Sequence, residues 1–152
     1  MKHRISGGAF VFLEGKILMV RHQREGKYDF WVAPGGGVNP GEDAARAAAR
    51  EAFEEAGIEV RTLRLAAVEE MENREERACK LWFHCEMTGG SLSSEAEEAT
   101  REYIVDARFL SREELADKTV FPPLIMSDEF WKAAETGFPE TIYPGLREMA
   151  FY

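Results

Sequence analysis

The stretch Gly35-Gly36-Gly37-Val38-Asn39-Pro40-Gly41-Glu42, continued at Arg50-Glu51-Ala52-Phe53-Glu54-Glu55-Ala56-Gly57-Ile58, decides how this chain is read. From Glu42 to Ala56 the pattern is helical: Ala45, Ala49, Ala52 and Ala56 recur at four-, three- and four-residue steps and form one apolar stripe of small side chains. Such a helix can lie close against a sheet, and Gly57 stands where a helix stop is expected. Glu51, Glu54 and Glu55 fall at i, i+3 and i+4, so one helical face gathers three carboxylates. On their own, three glutamates read as good helix formers facing water. The glycines alter that reading. Three in a row after the apolar run Phe30-Trp31-Val32-Ala33 weaken a strand and free the backbone for close approach. Carboxylates crowded beside such a loop repel one another unless a hard, oxygen-seeking divalent cation such as Mg2+ or Mn2+ offsets them.

On the N-terminal side, apolar alternation from Ile5 to Val20 predicts two strands turning at Glu14-Gly15, and Arg21 to Asp29 reads as a polar loop. On the C-terminal side, Ile58 to Val68 reads as extended and Glu69 to Arg77 as a charge-rich, solvated turn. Lys80 to Met87 then alternates, with Leu81, Phe83, Cys85 and Met87 on one face and Trp82, His84 and Glu86 on the other. Gly89-Gly90 closes that arm. Ile104 to Leu110 predicts a further strand, and Ser111-Arg112-Glu113-Glu114 before Leu115 a capping-box helix start. Pro122-Pro123 precedes a last helix over Leu124 to Glu135, and the segment 137–152 carries no clear signal. Strands interrupted by an early and a late helix predict an α/β fold, a mixed β-sheet sandwiched between helices, in one domain over residues 1–152.

The totals narrow the partners. The 152 residues, 45% hydrophobic and 31% charged, suffice for one buried core. No apolar run approaches the roughly 20 residues that span a bilayer, and the basic start Met1-Lys2-His3-Arg4 leads into alternation rather than an apolar block, so neither a membrane span nor a signal peptide is expected. A net charge of −9 argues against stable nucleic-acid binding through a broad basic face. An anionic small substrate would instead arrive with, or meet, a neutralising cation. The two cysteines, Cys79 and Cys85, lie six positions apart on one expected strand, so roughly 20 Å at about 3.3 Å per residue. That is beyond the reach of a disulfide, and buried thiols suit a cytoplasmic protein.

Taken together, Gly36, Glu42, Arg50, Glu51, Ala52, Glu54, Glu55, Gly57 and Ile58 match the Nudix signature Gly-x5-Glu-x7-Arg-Glu-U-x-Glu-Glu-x-Gly-U (U aliphatic) at every spacing; Ala52 is smaller than the usual Leu or Ile. The chain therefore resembles the Nudix (MutT-like) hydrolases from about Ile5 to Leu115, including the Pro34-Gly35-Gly36 entry and the strand-then-helix at Arg108 to Leu115. The resemblance implies metal-dependent hydrolysis of a pyrophosphate bond in a nucleoside diphosphate linked to another moiety: a nucleoside triphosphate, an ADP-ribose-like compound or a nucleotide sugar. It implies Glu51, Glu54 and Glu55 as catalytic metal ligands, the Gly35 carbonyl as a further ligand, and Glu51 as a candidate general base. Gly36, Glu42, Arg50 and Gly57 would be structural within the motif. A further acid on a later loop is expected among Glu97, Glu98 and Glu102, with Glu102 favoured by its spacing to the Ile104 strand.

Substrate selection is not legible at this level. Tyr28, Trp31, Phe121 and Trp131 could stack on a base but read first as core residues, and the cluster Arg21, His22, Arg24 and Lys27 reads equally as a phosphate contact or a solvated loop. His3 and His84 have no metal-ligand spacing. The proline or tyrosine that marks some sugar-nucleotide and dinucleotide-polyphosphate subfamilies is missing; the charged Arg74 region stands there. A non-catalytic nucleotide-sensing domain is the alternative, disfavoured by the complete set of glutamates. Relatives often pair, so a homodimer stays open.

Overall fold

Adjacent residues of a strand face opposite sides of a sheet, and the first strand of this chain is buried on both. A Cβ on Gly7 would lie 2.1 Å from the Ala44 carbonyl oxygen of the first helix, and one on Gly8 would lie 2.3 Å from the Trp82 ring. Glycine at these two positions lets a helix and an indole press on opposite faces of the same strand. The computed structural model describes residues 1–149 and has strands β1 (Lys2–Leu13), β2 (Lys16–Arg24), β3 (Tyr28–Val32) and β4 (Gly35–Gly37), then helix α1 (Ala44–Ala56). There follow β5 (Ile58–Glu72), β6 (Glu76–Gly90), α2 (Glu97–Arg101), β7 (Ile104–Leu110), α3 (Arg112–Leu115), β8 (Val120–Phe121), a 3₁₀ turn (Pro123–Met126), α4 (Asp128–Glu135) and β9 (Leu146–Glu148).

The strands form one mixed sheet in the order β8-β3-β2-β1-β6-β5-β9, with β4 paired to β1 and β7 to β2. β1 runs parallel to β6 and antiparallel to β2 and β4. α1 covers one face; on the other, Phe10 stacks on Trp82 with centroids 4.8 Å apart and meets Phe130 of α4 edge-on at 5.0 Å. Each such aromatic contact adds about 0.5–1.5 kcal/mol beyond the area it buries. The expected mixed sheet between helices is what forms.

Several local expectations are corrected. Helix α1 begins at Ala44 rather than Glu42, because the Asp43 carboxylate caps it by accepting the Arg46 N–H at 2.8 Å. It ends as expected at Gly57, whose φ of 74° is left-handed. Its buried face is Ala47, Ala48, Glu51, Ala52, Glu55 and Ala56, so the stripe is rotated from Ala45 and Ala49 and takes in two of the glutamates. The polar segment after Val20 is mostly strand: β2 continues to Arg24 and β3 starts at Tyr28. The charged stretch from Glu69 to Arg77 is likewise strand apart from residues 73–75. Glu70 and Glu72 pair with Arg77 at 2.8 and 2.9 Å on one face, while Glu69 and Met71 turn inward. Charge pairing across strands allows a sheet where composition reads as loop. In β6 the buried residues are Ala78, Lys80 and Trp82, then Cys85; alternation breaks where the ladder to β5 shifts register between Thr62 and Ala67. Cys79 and Cys85 are free thiols. The last predicted helix is split, its first part being the 3₁₀ turn and Ser127 capping α4. In the segment 137–152, Phe138 and Ile142 are buried and β9 pairs with β5; residues 150–152 lie outside the described residues.

Candidate active site

α1 presents its glutamates to the loop that precedes it, and the glycines there make the approach close. A Cβ on Gly36 would stand 2.5 Å from Glu51 Oε1, so the carboxylate keeps this position only beside glycine. The Gly35 N–H donates to Glu55 Oε1 at 2.8 Å, which brings β4 onto the far end of the helix. Gly35 thus reaches the site through its amide.

Arg50 ties the group together. Its guanidinium grips Glu42 through Nε–Oε2 (2.8 Å) and Nη2–Oε1 (2.9 Å). Nη1 donates to Glu51 Oε1 at 2.8 Å and to Glu54 Oε2 at 3.1 Å, and Nη2 also reaches the Gly37 carbonyl at 3.0 Å. Glu42 Oε1 in turn accepts the Asn39 N–H at 3.1 Å. Five charge-assisted bonds from one planar group join the glycine strand, the loop after it and the helix. They hold the Glu42 carboxyl at a pKa of about 2, through Arg50 first and Asn39 second.

The tightest acidic cluster is Glu51, Glu55 and Glu102, with one carboxylate oxygen of each lying within 4.8 Å of the other two. Glu54 shares the helix but points to Arg50 rather than into this trio. Glu102 enters because β7 pairs with β2, which sets Ile104 beside His22 and the turn before β7 over the helix. The His22 ring joins there, Nδ1 at 3.2 Å from the Glu102 carbonyl oxygen and Nε2 at 4.0 Å from Glu55 Oε2. Burial pushes the Glu55 carboxyl well above the ordinary range, with the Glu51 and Glu102 charges adding to it. Glu51 is raised as well, again chiefly by burial with Arg50 opposing it, and Glu102, though exposed, is raised by partial desolvation and then by the Glu51 charge. Burial holds His22 down to about 4, so the ring is neutral near pH 7. Carboxylates packed this way are the donor set of a hard divalent cation, and they fit Mg2+ or Mn2+.

Other expected residues fall elsewhere. Glu97 is exposed and paired with Arg101, and Glu98 is exposed. Arg21 is bound bidentately to Asp29, Arg24 lies 4.7 Å over the Tyr103 ring, and Lys27 is exposed. Trp31 is buried, Tyr28 packs on Phe30, and Trp131 donates to the Ile125 carbonyl. Phe121 packs edge-on against Phe30 and carries the Arg147 guanidinium over its ring at 5.5 Å.

Sequence reasoning passed over two features. One is Lys80, buried in β6 with its Nζ 4.4 Å from the Trp82 ring centroid; the alternation Ala78, Lys80, Trp82 was the signal. The other is a cavity of ≈180 Å3 beyond Trp82, walled by Pro122, Pro123, Leu124 and Pro144. Glu69 and Arg147 also line it: Glu69 accepts from Trp82 Nε1 at 3.2 Å and from Arg147 Nε at 2.8 Å.

The NUDIX domain model matches residues 2–128. Diphosphoinositol polyphosphate phosphohydrolase 2 of Rattus norvegicus is 42% identical over 64 residues, covering 42% of this chain and 35% of the relative. The chain spans about a third of the length of such curated relatives. Among solved structures, a NUDIX hydrolase from Nitrosomonas europaea superposes with TM-score 0.78 at 17% identity, over 98% of this chain and 81% of that one. An ADP-ribose pyrophosphatase from Streptococcus suis does so with TM-score 0.70 at 21% identity, over 92% and 98%. These likenesses establish the fold, and no helix among the described residues is long and apolar enough to cross a membrane. With the signature complete and the domain model spanning most of its length, the chain belongs to the NUDIX (MutT-like) hydrolase superfamily.

Proposed function

We propose that this protein, as one domain, hydrolyses a pyrophosphate bond in a nucleoside diphosphate linked to another moiety, with Mg2+ or Mn2+ as cofactor. The observation that carries this is the trio Glu51, Glu55 and Glu102, with oxygens mutually within 4.8 Å and two of the residues buried. Buried like charges destabilise a fold unless something offsets them. Glu51, Glu55 and Glu102 would hold the ion, with Glu54 and the Gly35 backbone at its margin. When bound, the ion supplies Lewis acidity toward the phosphate oxygens and toward water.

The chain's own groups do the rest. Arg50 occupies Glu51 Oε1, while Oε2 accepts no hydrogen bond among the described residues. Glu51 is therefore placed to take the proton of the attacking water through Oε2. Arg50 fixes that carboxylate through a bond whose other anchor is Glu42, so a shift of the glycine loop would misplace the base. The apolar cavity beyond Trp82 suits the group attached to the diphosphate, with the Glu69–Arg147 pair at its wall to discriminate polar edges. One relative is named for diphosphoinositol polyphosphates and one structural neighbour for ADP-ribose, which supports cleavage of a pyrophosphate bond while leaving the attached group to the substrate panel.

The test incubates purified protein with Mg2+ and a panel of nucleoside triphosphates, ADP-ribose-like compounds and nucleotide sugars, reading phosphate release. Turnover of at least one member, abolished by EDTA, is expected. Tight nucleotide binding with no turnover of any member would replace this reading with a sensing domain.

A further inference from the structure

Lysine is among the residues least often buried, because its ammonium is costly to remove from water. Lys80 is only 3% exposed. Its stem passes beneath the glycine strand, so close that a Cβ on Gly35 would lie 2.7 Å from Lys80 Cε, and its ammonium sits over the Trp82 ring. In register it faces Glu69 across the β5–β6 ladder, and both oxygens of Glu69 also accept bonds from Trp82 and Arg147. The glycine strand above Lys80 is the one whose amide holds Glu55 and whose second glycine abuts Glu51. Lys80 is thus packed between the Trp82 ring and the glycine strand that touches the acidic cluster.

We infer that Lys80 is a positioning residue, a built-in positive charge that weakens divalent-cation binding by the cluster formed by Glu51, Glu55 and Glu102 until an anionic substrate is present. The inference rests on the metal-dependent reading above. Gly35 joins the two: the Lys80 stem packs against it, and its N–H donates to Glu55 Oε1 at 2.8 Å, so the field of the ammonium reaches the cluster across that one strand. The same field opposes a cation among them. A diphosphate brings negative charge to the site and offsets that opposition. The cluster would then load fully only with substrate bound.

The sign of the effect separates this role from a structural one. A merely structural lysine, once removed, would loosen the cluster and weaken cation binding; removing an opposing charge strengthens it. Mn2+ titration followed by electron paramagnetic resonance, without substrate, measures this directly. Lys80→Met is expected to bind Mn2+ about ten-fold or more tightly than the parent, as removal of a buried unit charge near a divalent ion requires. Lys80→Arg, which keeps the charge, should stay near the parent value. Circular dichroism checks that each variant folds, and Lys80→Gln makes the same comparison if Lys80→Met does not. Unchanged or weaker Mn2+ binding in the neutral variant overturns the inference while leaving the proposed activity standing. A parent protein that binds no Mn2+ even when an anionic diphosphate is added overturns both.

Discussion

The Arg50 guanidinium joins Glu42 by two parallel bonds of 2.8 and 2.9 Å while its remaining donors hold Glu51, Glu54 and the Gly37 carbonyl. One side chain thereby fixes both the shape of the glycine loop and the direction of the carboxylate proposed as base. Lysine has no planar fork to reproduce this. Arg50→Lys should lower Tm by about 2–5 °C and reduce kcat more than it raises KM, as scanning calorimetry and steady-state kinetics would report. A change confined to KM would show that Arg50 does not orient Glu51.

The same pair sets an acid limit to stability. The Glu42 carboxyl titrates at about 2 in the fold against an ordinary 4.5. A depressed folded pKa contributes stability that is fully present above the unfolded value and is lost as pH falls through the folded one. The contribution of Glu42 should therefore fade between about pH 4.5 and 2. Thermal melts of the parent and Glu42→Gln are expected to differ at pH 6 and to converge toward pH 2. Parallel curves across that range would show that the pair adds nothing.

Glu55→Gln removes one charge from three crowded carboxylates yet keeps an oxygen for the Gly35 amide. Without added cation the variant should melt at the parent temperature or above it. Its metal-dependent turnover should fall by more than about 100-fold, beyond what loss of a group merely supporting a ligand costs. A collapse of Tm alongside activity would make Glu55 a structural residue.

A ligand that binds only the folded state raises Tm. Saturating Mg2+ or Mn2+ should raise that of the parent by several degrees and EDTA should reverse the gain. Glu51→Gln, Glu55→Gln and Glu102→Gln should each lose most of that response, whereas Glu98→Gln should keep it. An undiminished response in Glu102→Gln would remove that residue from the ligand set.

Gly36→Ala places a methyl group 2.5 Å from Glu51 Oε1. The fold should survive, since only the end of a side chain must move, but the displaced carboxylate should cost at least about 10-fold in cation affinity. Wild-type affinity in the alanine variant would mean that Glu51 is free to relocate at no cost.

What the sequence determined by itself is local. The 3.6-residue period puts Glu51, Glu54 and Glu55 on one face, Gly57 ends the helix with a left-handed turn, Ser111 and Glu114 form the capping box, and the box spacing marks the family. Each depends on groups a few residues apart, where backbone geometry alone sets the distance. Tertiary structure decided the rest. Which side of α1 is buried depends on Gly7 of β1, which the Ala44 carbonyl approaches too closely for any Cβ. Glu102 joins Glu51 and Glu55 only because the β2–β7 register carries it beside His22, 80 positions away in the chain. Lys80 and Glu69 face each other through the β5–β6 ladder, and the charge-rich stretch between them becomes strand because its acids find Arg77 across the sheet. Strand register is a long-range choice made by burial over the whole sheet, and a run of residues carries no measure of it until its partners are in place.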